Sequence, residues 1–178
     1  MASVPDASDA GHSALDGLQR LWTPWRMSYI RGESKDIDGC PFCVLPQRGD
    51  DAGALILYRG DAVYAVLNAY PYNPGHLMVV PYRHVAGLDE LTDDEVGEMA
   101  SLVQRSVRVL QSVSEPHAFN IGMNIGALAG AGIAEHLHQH VVPRWGGDTN
   151  FMPVIGHTRV LPELLEETYG RLAPEFGA

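Results

Sequence analysis

The chain has 178 residues, which is enough for one domain with a substantial core. Its 22 acidic residues outnumber the 12 basic ones, and the net charge of −10 argues against a broad surface for nucleic acid or anionic membranes. The sequence also lacks the run of about 18 apolar residues that a membrane span needs. Residues 1–17 lack the basic and apolar regions of a secretory signal. We therefore expect a disordered tail over 1–17, a single domain over 18–178 and a cytoplasmic protein.

The first half of the chain predicts three strands. Residues 53–59 and 62–68 are apolar and rich in strand formers, and the Gly60-Asp61 pair between them is typical of a hairpin. Leu77–Pro81 is a third apolar run, which follows a loop rich in Pro, Gly and Asn.

The second half predicts a long helix and three further elements. Apolar residues recur with a helical period over 92–111, and Thr92 with Glu95 makes a capping box at its start. The remaining elements are two strands and a C-terminal helix, at 119–124, 136–143 and 162–172. This order predicts an α+β domain with a mainly antiparallel five-stranded sheet, one long helix and one C-terminal helix.

Three histidines, His136, His138 and His140, are the most informative part of the sequence. On a strand, their spacing places all three imidazoles on one face. Such a row fits a zinc site of three histidines, or a nucleophilic middle ring supported by its two neighbours. A purely structural cluster is the least favoured alternative, because each buried ring needs partners for two nitrogens. The residues alone do not separate the first two.

Two other motifs carry chemical signals. Residues 126–132 are all glycine, alanine or leucine, and glycine lets backbone N–H groups approach a phosphate closely. Cys40 and Cys43 are the two cysteines of the chain, and their Cys-Pro-Phe-Cys spacing indicates a metal half-site or a redox pair.

The histidine row resembles the signature of the histidine triad (HIT) family. Other segments resemble motifs of the same family in the same order along the chain: Cys40-Pro41-Phe42-Cys43, Asn68, Asn73-Pro74-Gly75-His76-Leu77-Met78-Val79-Val80-Pro81, Asn124 with the glycine-rich segment, and His136-Leu137-His138-Gln139-His140-Val141-Val142. The resemblance covers about residues 38–145 and implies a HIT-like fold and a homodimer.

The resemblance implies an enzyme that transfers a nucleotidyl group at an α-phosphate. His138 would attack phosphorus and form a covalent nucleotidyl-histidine intermediate, which an acceptor then displaces. His140 would donate to a phosphate oxygen. The resemblance implies that the nucleotide is bound by residues on its nucleoside side and its phosphate side, namely Asn68, His76, Asn124, Gly130, Ala131, Gly132, His140 and Trp145. No organic cofactor is implied.

A structural zinc ion is a separate implication of the resemblance. Some members of the family hold a metal with two cysteines and two histidines, which correspond here to Cys40, Cys43, His84 and His136. Two thiolates and two imidazoles suit a closed tetrahedral zinc site. In that arrangement His136 would face the metal, and a redox role of the two cysteines is disfavoured.

One branch of the family resembles this chain in two more segments. Arg144-Trp145-Gly146-Gly147-Asp148 and Leu21-Trp22-Thr23-Pro24-Trp25-Arg26 look like the actinobacterial diadenosine tetraphosphate phosphorylases. In that branch inorganic phosphate is the acceptor, and the products are ATP and ADP. The loop before the triad lacks the polar side chains that are common in the family, so their phosphate contacts would be lost or replaced by backbone N–H groups. The alternatives are a dinucleoside polyphosphate hydrolase, a nucleoside phosphoramidase, or a nucleotide-binding protein with little turnover.

Overall fold

The computed structural model describes residues 39–148 and 163–177. The expected tail at 1–17 and the tryptophan-rich segment at 21–26 lie outside these residues. Within the two described ranges, every helix is too short or too polar to cross a bilayer.

Five strands form one sheet in which all neighbouring pairs are antiparallel. In chain order the strands are β1 (Ile56–Arg59), β2 (Val63–Leu67), β3 (Leu77–Pro81), β4 (Ala118–Met123) and β5 (Gln139–Arg144). Their order across the sheet is β1-β2-β3-β5-β4, so the last two strands of the chain exchange places. The predicted five-stranded antiparallel sheet and the α+β class are confirmed.

The helices among the described residues are α1 (Pro41–Val44), α2 (Asp51–Ala54), α3 (Asp93–Ser114) and α4 (Leu165–Phe176), with 3-10 turns at Leu45–Arg48, Leu88–Glu90 and Ala127–Ala129. The α3 helix begins where the sequence predicts, because the Thr92 side chain accepts from Glu95 N–H and the Glu95 carboxylate accepts from Thr92 N–H. The C-terminal helix begins at Leu165 and continues to Phe176, later than the predicted 162–172 at both ends.

Two predicted strands begin three residues later than expected. Residues 53 and 54 belong to the helical turn Asp51–Ala54 instead of a strand, because the Asp50 carboxylate caps this turn by accepting from Gly53 N–H at 2.9 Å. The left-handed backbone of Leu55 (φ 59°) then redirects the chain into β1. At the other site, β5 starts at Gln139, and residues 136–138 precede it. The regular strand predicted for 136–143 therefore lacks its first three residues.

The sheet separates two apolar clusters. One face packs against α3 and α4, and its cluster contains Val63, Ala65, Leu77, Val79 and Phe176 among others. The opposite face is covered by the segment around α1, whose Phe42 packs with Tyr64, Val66, Met78 and Val80. Strands β2 and β3 are therefore buried on both faces, whereas β4 is an edge strand with mostly exposed residues.

Two arginine–carboxylate clusters secure the segments that enter the site. In the first, Arg83 Nε donates to Glu95 Oε1 at 2.9 Å and its second amino group donates to Oε2 at 2.7 Å. Arg83 directly precedes His84. The cluster therefore ties the backbone next to His84 to Glu95 in the first turn of α3. The Arg83 guanidinium and the backbone N–H of Thr92 together lower the pKa of Glu95 to about 2.

The second cluster lies beyond the end of β5. Arg144 donates to both carboxylate oxygens of Asp148, at 2.5 Å and 2.9 Å. Asn73 Nδ2 donates to Asp148 Oδ2 at 2.8 Å and to the Pro143 carbonyl at 2.9 Å. The Arg144 guanidinium lowers the pKa of Asp148 below its ordinary value. Because Asn73 belongs to the loop that leads to His76, this cluster secures that loop against β5.

Candidate active site and metal centre

The rings of His138 and His140 are neighbours, although the regular strand starts only at Gln139. The His138 ring lies 5.0 Å from the His140 ring, and the Phe42 ring contacts both His136 and His138. Just before β5, Leu137 N–H donates to the Val85 carbonyl at 2.6 Å, which keeps this segment beside the sheet. His138 and His140 therefore lie close together as expected, but residues 136–138 are a loop and His136 turns toward the thiols.

His138 is held as a neutral ring with a defined tautomer. Its Nδ1 lies 2.8 Å from the carbonyl oxygen of His136, and only an N–H at Nδ1 can donate to that oxygen. Burial lowers the pKa of His138 below its ordinary value, and the bond to the His136 carbonyl offsets part of this effect. A neutral ring with its hydrogen on Nδ1 carries a lone pair on Nε2, as a nucleophile requires.

A chain of hydrogen bonds assigns the tautomers of two other rings. Tyr72 N–H donates to His76 Nδ1 at 3.0 Å, so a neutral His76 carries its hydrogen on Nε2. His76 Nε2 lies 3.0 Å from His140 Nδ1, which therefore accepts from it. The hydrogen of a neutral His140 is then on Nε2. Such a ring donates through Nε2, which suits contact with a phosphate oxygen.

Asn68 lies at the edge of this chain of bonds. Its Oδ1 accepts from Tyr70 N–H at 2.9 Å, which orients the amide and directs Nδ2 toward His76 Nε2 at 3.4 Å. With a hydrogen on Nε2, that longer separation is a contact between two donors and not a second hydrogen bond. His76 itself is completely buried. Its Nε2 contacts His140, and its place on the nucleoside side of a substrate stays a prediction.

The other predicted substrate residues lie around the two ends of β5. Asn124 directly follows Met123, which pairs with Gln139, so it lies near the end of the strand next to His138. The segment containing Gly130, Ala131 and Gly132 follows the 3-10 turn Ala127–Ala129 and leads to His136. Trp145 follows the far end of β5, where its indole N–H donates to the Ser114 carbonyl at 3.3 Å. The structure thus gathers His76, Asn68 and Asn124 near the row, but not Trp145.

The four predicted metal ligands converge on one point. One ligand atom from each of Cys40, Cys43, His84 and His136 lies within 4.8 Å of all the others. His136 Nδ1 lies 3.3 Å from Cys40 Sγ and 3.5 Å from Cys43 Sγ, and His84 Nδ1 lies 3.3 Å from Cys43 Sγ. Ligands of a tetrahedral zinc ion are separated by about 3.3 to 3.8 Å, and these three distances lie in that range.

The tautomer of His136 also suits a metal ligand. Its Nε2 donates to the Pro81 carbonyl at 2.9 Å, which leaves the lone pair of Nδ1 directed at the two thiols. Burial and the neighbouring Cys40 raise the pKa of the Cys43 thiol. A divalent cation reverses this effect, because it stabilises a coordinated thiolate. The chemistry of the donor set therefore agrees with its geometry.

Sequence reasoning missed several groups that complete the site. The carbonyls of Pro81 and Val85 are backbone acceptors, which no side-chain motif indicates. Tyr72 supplies both the N–H for His76 and a ring that stacks on it at 4.8 Å. Phe42 was visible within the Cys-Pro-Phe-Cys motif, but only the fold places its ring against the histidines.

Comparisons with known proteins agree with this geometry. Residues 51–147 match the model of the HIT domain. An AP-4-A phosphorylase from Mycobacterium tuberculosis is 51% identical over 175 residues, which cover 94% of this chain and 89% of the relative. A bis(5'-nucleosyl)-tetraphosphatase (asymmetrical) from Schizosaccharomyces pombe is 34% identical over 54% of this chain and 52% of its own length.

A solved structure is similar over most of the fold. The crystal structure of a Zn-bound histidine triad family protein from Mycobacterium smegmatis has a TM-score of 0.62 and 25% identity, and the match covers 78% of this chain and 94% of that chain. The domain match exceeds half of the chain, and the relative at 51% identity spans nearly all of it. The chain therefore belongs to the histidine triad (HIT) family.

Proposed function

We propose that this enzyme transfers a nucleotidyl group through His138 and phosphorolyses diadenosine tetraphosphate to ATP and ADP. The observation that carries the proposal is the tautomer of His138, whose Nδ1–H bond to the His136 carbonyl leaves Nε2 as a buried, neutral nucleophile. The names of the M. tuberculosis and S. pombe relatives support a dinucleoside polyphosphate as the substrate.

The first step forms a bond between Nε2 of His138 and the α-phosphorus. The bond from that phosphorus to the bridging oxygen breaks, and ATP leaves with the electron pair. In the second step an oxygen of inorganic phosphate attacks the adenylyl-histidine, the P–N bond breaks and ADP is released. His140 Nε2–H would donate to a phosphate oxygen in both steps, as the tautomers of His76 and His140 support.

The substrate would extend from this centre in two directions. Asn124 and the backbone of Gly130, Ala131 and Gly132 would hold phosphate oxygens, and Asn68 would lie on the nucleoside side. Trp145 remains a proposed contact of the more distant part of the nucleotide, since it follows the opposite end of β5 from His140.

The acceptor is tested by product analysis with diadenosine tetraphosphate at increasing phosphate concentration. We expect ATP and ADP, with a rate that rises with phosphate and then saturates. ATP and AMP at every phosphate concentration would identify a hydrolase and overturn the phosphorylase assignment. Slow or absent turnover with tight nucleotide binding would instead support a binding protein, and turnover of an adenosine phosphoramidate alone would support a phosphoramidase.

The covalent intermediate is tested separately. Wild-type protein is mixed with substrate without phosphate, quenched and digested, and the peptide that contains His138 is analysed by mass spectrometry. We expect the mass of one adenylyl group on this peptide, and none on the same peptide of the His138→Asn variant. An adenylyl group on another peptide would contradict the assignment of the nucleophile.

We propose that zinc occupies the site of Cys40, Cys43, His84 and His136 and stabilises the loop around α1. The donor geometry and the Zn-bound relative of known structure support this assignment. Elemental analysis should find about one zinc per chain, and Cys43→Ser should lose most of it. His117→Asn is the control, since His117 lies elsewhere and accepts from Gly146 N–H. Zinc content unaffected by Cys43→Ser would contradict the site.

We also propose a homodimer that forms through the edge of β4. This strand ends the described sheet, and apolar Ile121, Ile125 and Leu128 in and after it are 45%, 49% and 107% exposed. A second copy of the chain would pair this edge and cover these side chains. Light scattering should give about twice the chain mass of 19.4 kDa.

A single substitution tests this interface. Ile121→Lys should shift the protein toward the monomer, whereas Leu88→Lys, at a residue of similar exposure outside β4, should not. A monomeric wild type would overturn the proposal.

The two cysteines support the proposal of a cytoplasmic protein. They are free thiols that are arranged for a metal and not joined as a disulfide, as expected in a reducing compartment.

A further inference from the structure

One hydrogen bond does not determine the orientation of the nucleophilic ring. The bond from Nδ1 to the His136 carbonyl holds one corner of the His138 imidazole. The torsion that turns a histidine ring about its Cβ–Cγ bond is intrinsically broad. The tilt of the ring plane must therefore be set by the groups that pack against it. This tilt matters because attack on phosphorus requires the Nε2 lone pair to be aligned.

Two rings pack against His138. The His140 ring lies 5.0 Å away and nearly perpendicular, at 80°. The Phe42 ring also lies 5.0 Å away, tilted by 45°. Phe42 contacts His136 as well, at 5.4 Å and 72°, so one phenyl ring spans the metal-ligand histidine and the proposed nucleophile. His140 is assigned to the substrate, which leaves Phe42 as a ring contact that the reaction does not itself use.

Both the side chain and the backbone of Phe42 are held in place. Its side chain is 4% exposed and packs in the apolar cluster on the α1 side of the sheet. Its carbonyl accepts from the hydroxyl of Tyr64, a fully buried residue of β2, at 2.8 Å. Its chain neighbours are part of a helical turn in which Cys43 N–H donates to the Cys40 carbonyl at 3.0 Å. The Phe42 ring therefore has a fixed position against His138.

We propose that Phe42 is a positioning residue for His138, and that the turn between the two cysteines sets the orientation of the nucleophile through this phenyl ring. The inference rests on the proposed function, since it assumes that His138 is the nucleophile. It assigns a second task to the cysteine turn, in addition to holding a metal. A smaller side chain at position 42 leaves the His138 ring free to tilt and to exchange tautomers.

The test compares Phe42→Leu with Phe176→Leu, which removes the same atoms from a fully buried phenylalanine of α4. For Phe42→Leu we expect kcat to fall about ten- to hundredfold, with KM within about twofold of wild type. Phe176→Leu should lower the melting temperature at least as much and leave kcat unchanged. Zinc content, measured on both variants, should equal that of the wild type.

A spectroscopic measurement adds a readout that does not depend on turnover. In the wild type, the ¹⁵N shifts of the His138 ring should report one tautomer, with the hydrogen on Nδ1. In Phe42→Leu they should report a mixture of the two tautomers. Tyr64→Phe, which only loosens the turn that carries Phe42, should show the same changes to a smaller extent. This milder variant tests the proposal if Phe42→Leu does not fold.

Three results would overturn the proposal. These are an unchanged kcat in Phe42→Leu, a rise in KM at constant kcat as expected for a wall of the nucleobase pocket, and ¹⁵N shifts identical to those of the wild type. Failure of the proposed function gives a different pattern. In that case the wild type shows no turnover and no adenylyl-histidine, while the ¹⁵N shifts still report whether Phe42 orients the ring.

Discussion

The histidine row and the two arginine–carboxylate clusters are both polar, but they hold their groups in place by different means. In the row, the contacts of the rings include other rings, thiols and backbone carbonyls, and burial keeps His138 uncharged. In the clusters, full charges pair near the surface, as Arg144 does with Asp148. A neutral imidazole keeps the lone pair that chemistry needs, whereas a charged pair secures a loop. Substitutions in the row should therefore remove turnover, and substitutions in the clusters should reduce stability.

The largest effect is expected for His138→Asn. Loss of the nucleophile should lower kcat/KM on the order of a thousandfold or more, because the covalent route is closed. Circular dichroism should show a folded protein, since the arginine–carboxylate clusters are untouched. His117→Asn, at an exposed histidine outside the row, should retain full activity. Substantial turnover in His138→Asn would contradict the assignment of His138 as the nucleophile.

A smaller loss is expected for His140→Asn. Removal of the donor to the phosphate should lower kcat by about a hundredfold. His76→Asn, one ring further from the substrate, should lower kcat less, because it acts through the orientation of His140. Steady-state kinetics of the two variants would check this order. A larger loss in His76→Asn would mean that the assigned direction of the hydrogen bonds is wrong.

The clusters should give the opposite result, beginning with Asp148→Asn. The change weakens hydrogen bonds from Arg144 and Asn73 and should reduce the free energy of unfolding by about 1 to 2 kcal/mol. Thermal denaturation should show a fall of a few degrees, with kcat within about threefold of wild type. A severe loss of kcat at unchanged stability would show that this cluster also takes part in the reaction.

The smallest effect concerns the pH dependence of Glu95. Its pKa is lowered from 4.5 to about 2 by Arg83 and Thr92, so its ionised form stabilises the folded protein. This contribution is complete above about pH 4.5, because the carboxyl is then ionised in both states, and it is lost as the pH falls toward 2. The difference in melting temperature between wild type and Glu95→Gln should therefore shrink over that interval. A constant difference would contradict the assignment.

The sequence predicts those parts of the fold that depend on local patterns. The Thr92–Glu95 capping box and the apolar period after it locate the start of α3 correctly. The start of β1 is predicted wrongly, because an apolar run from Gly53 onward does not reveal that Asp50 caps a helical turn there. The early start predicted for β5 has a similar cause, since alternation alone does not distinguish a paired strand from an extended loop.

The candidate site, like the fold, has parts that the sequence predicts and parts that it does not. The candidate metal ligands and the histidine row carry side-chain motifs, and family resemblance relates them across the chain. The acceptors at Pro81 and His136 are backbone carbonyls, which every residue possesses, so no motif can indicate them. The contact between Phe42 and His138 joins residues that are far apart in the chain, and only the packing of α1 against the sheet produces it.

His136 serves two neighbours with two different parts of one residue. Its ring faces the thiols, whereas its main-chain carbonyl receives the hydrogen of His138. The first contribution requires a histidine side chain at this position, but the second survives any substitution that preserves the path of the backbone. Loss or gain of the proposed metal ligands and retention of the orientation of His138 are therefore separable in evolution. A protein engineer could replace the four candidate ligands by well-packed apolar side chains and still retain the carbonyl oxygen that orients His138.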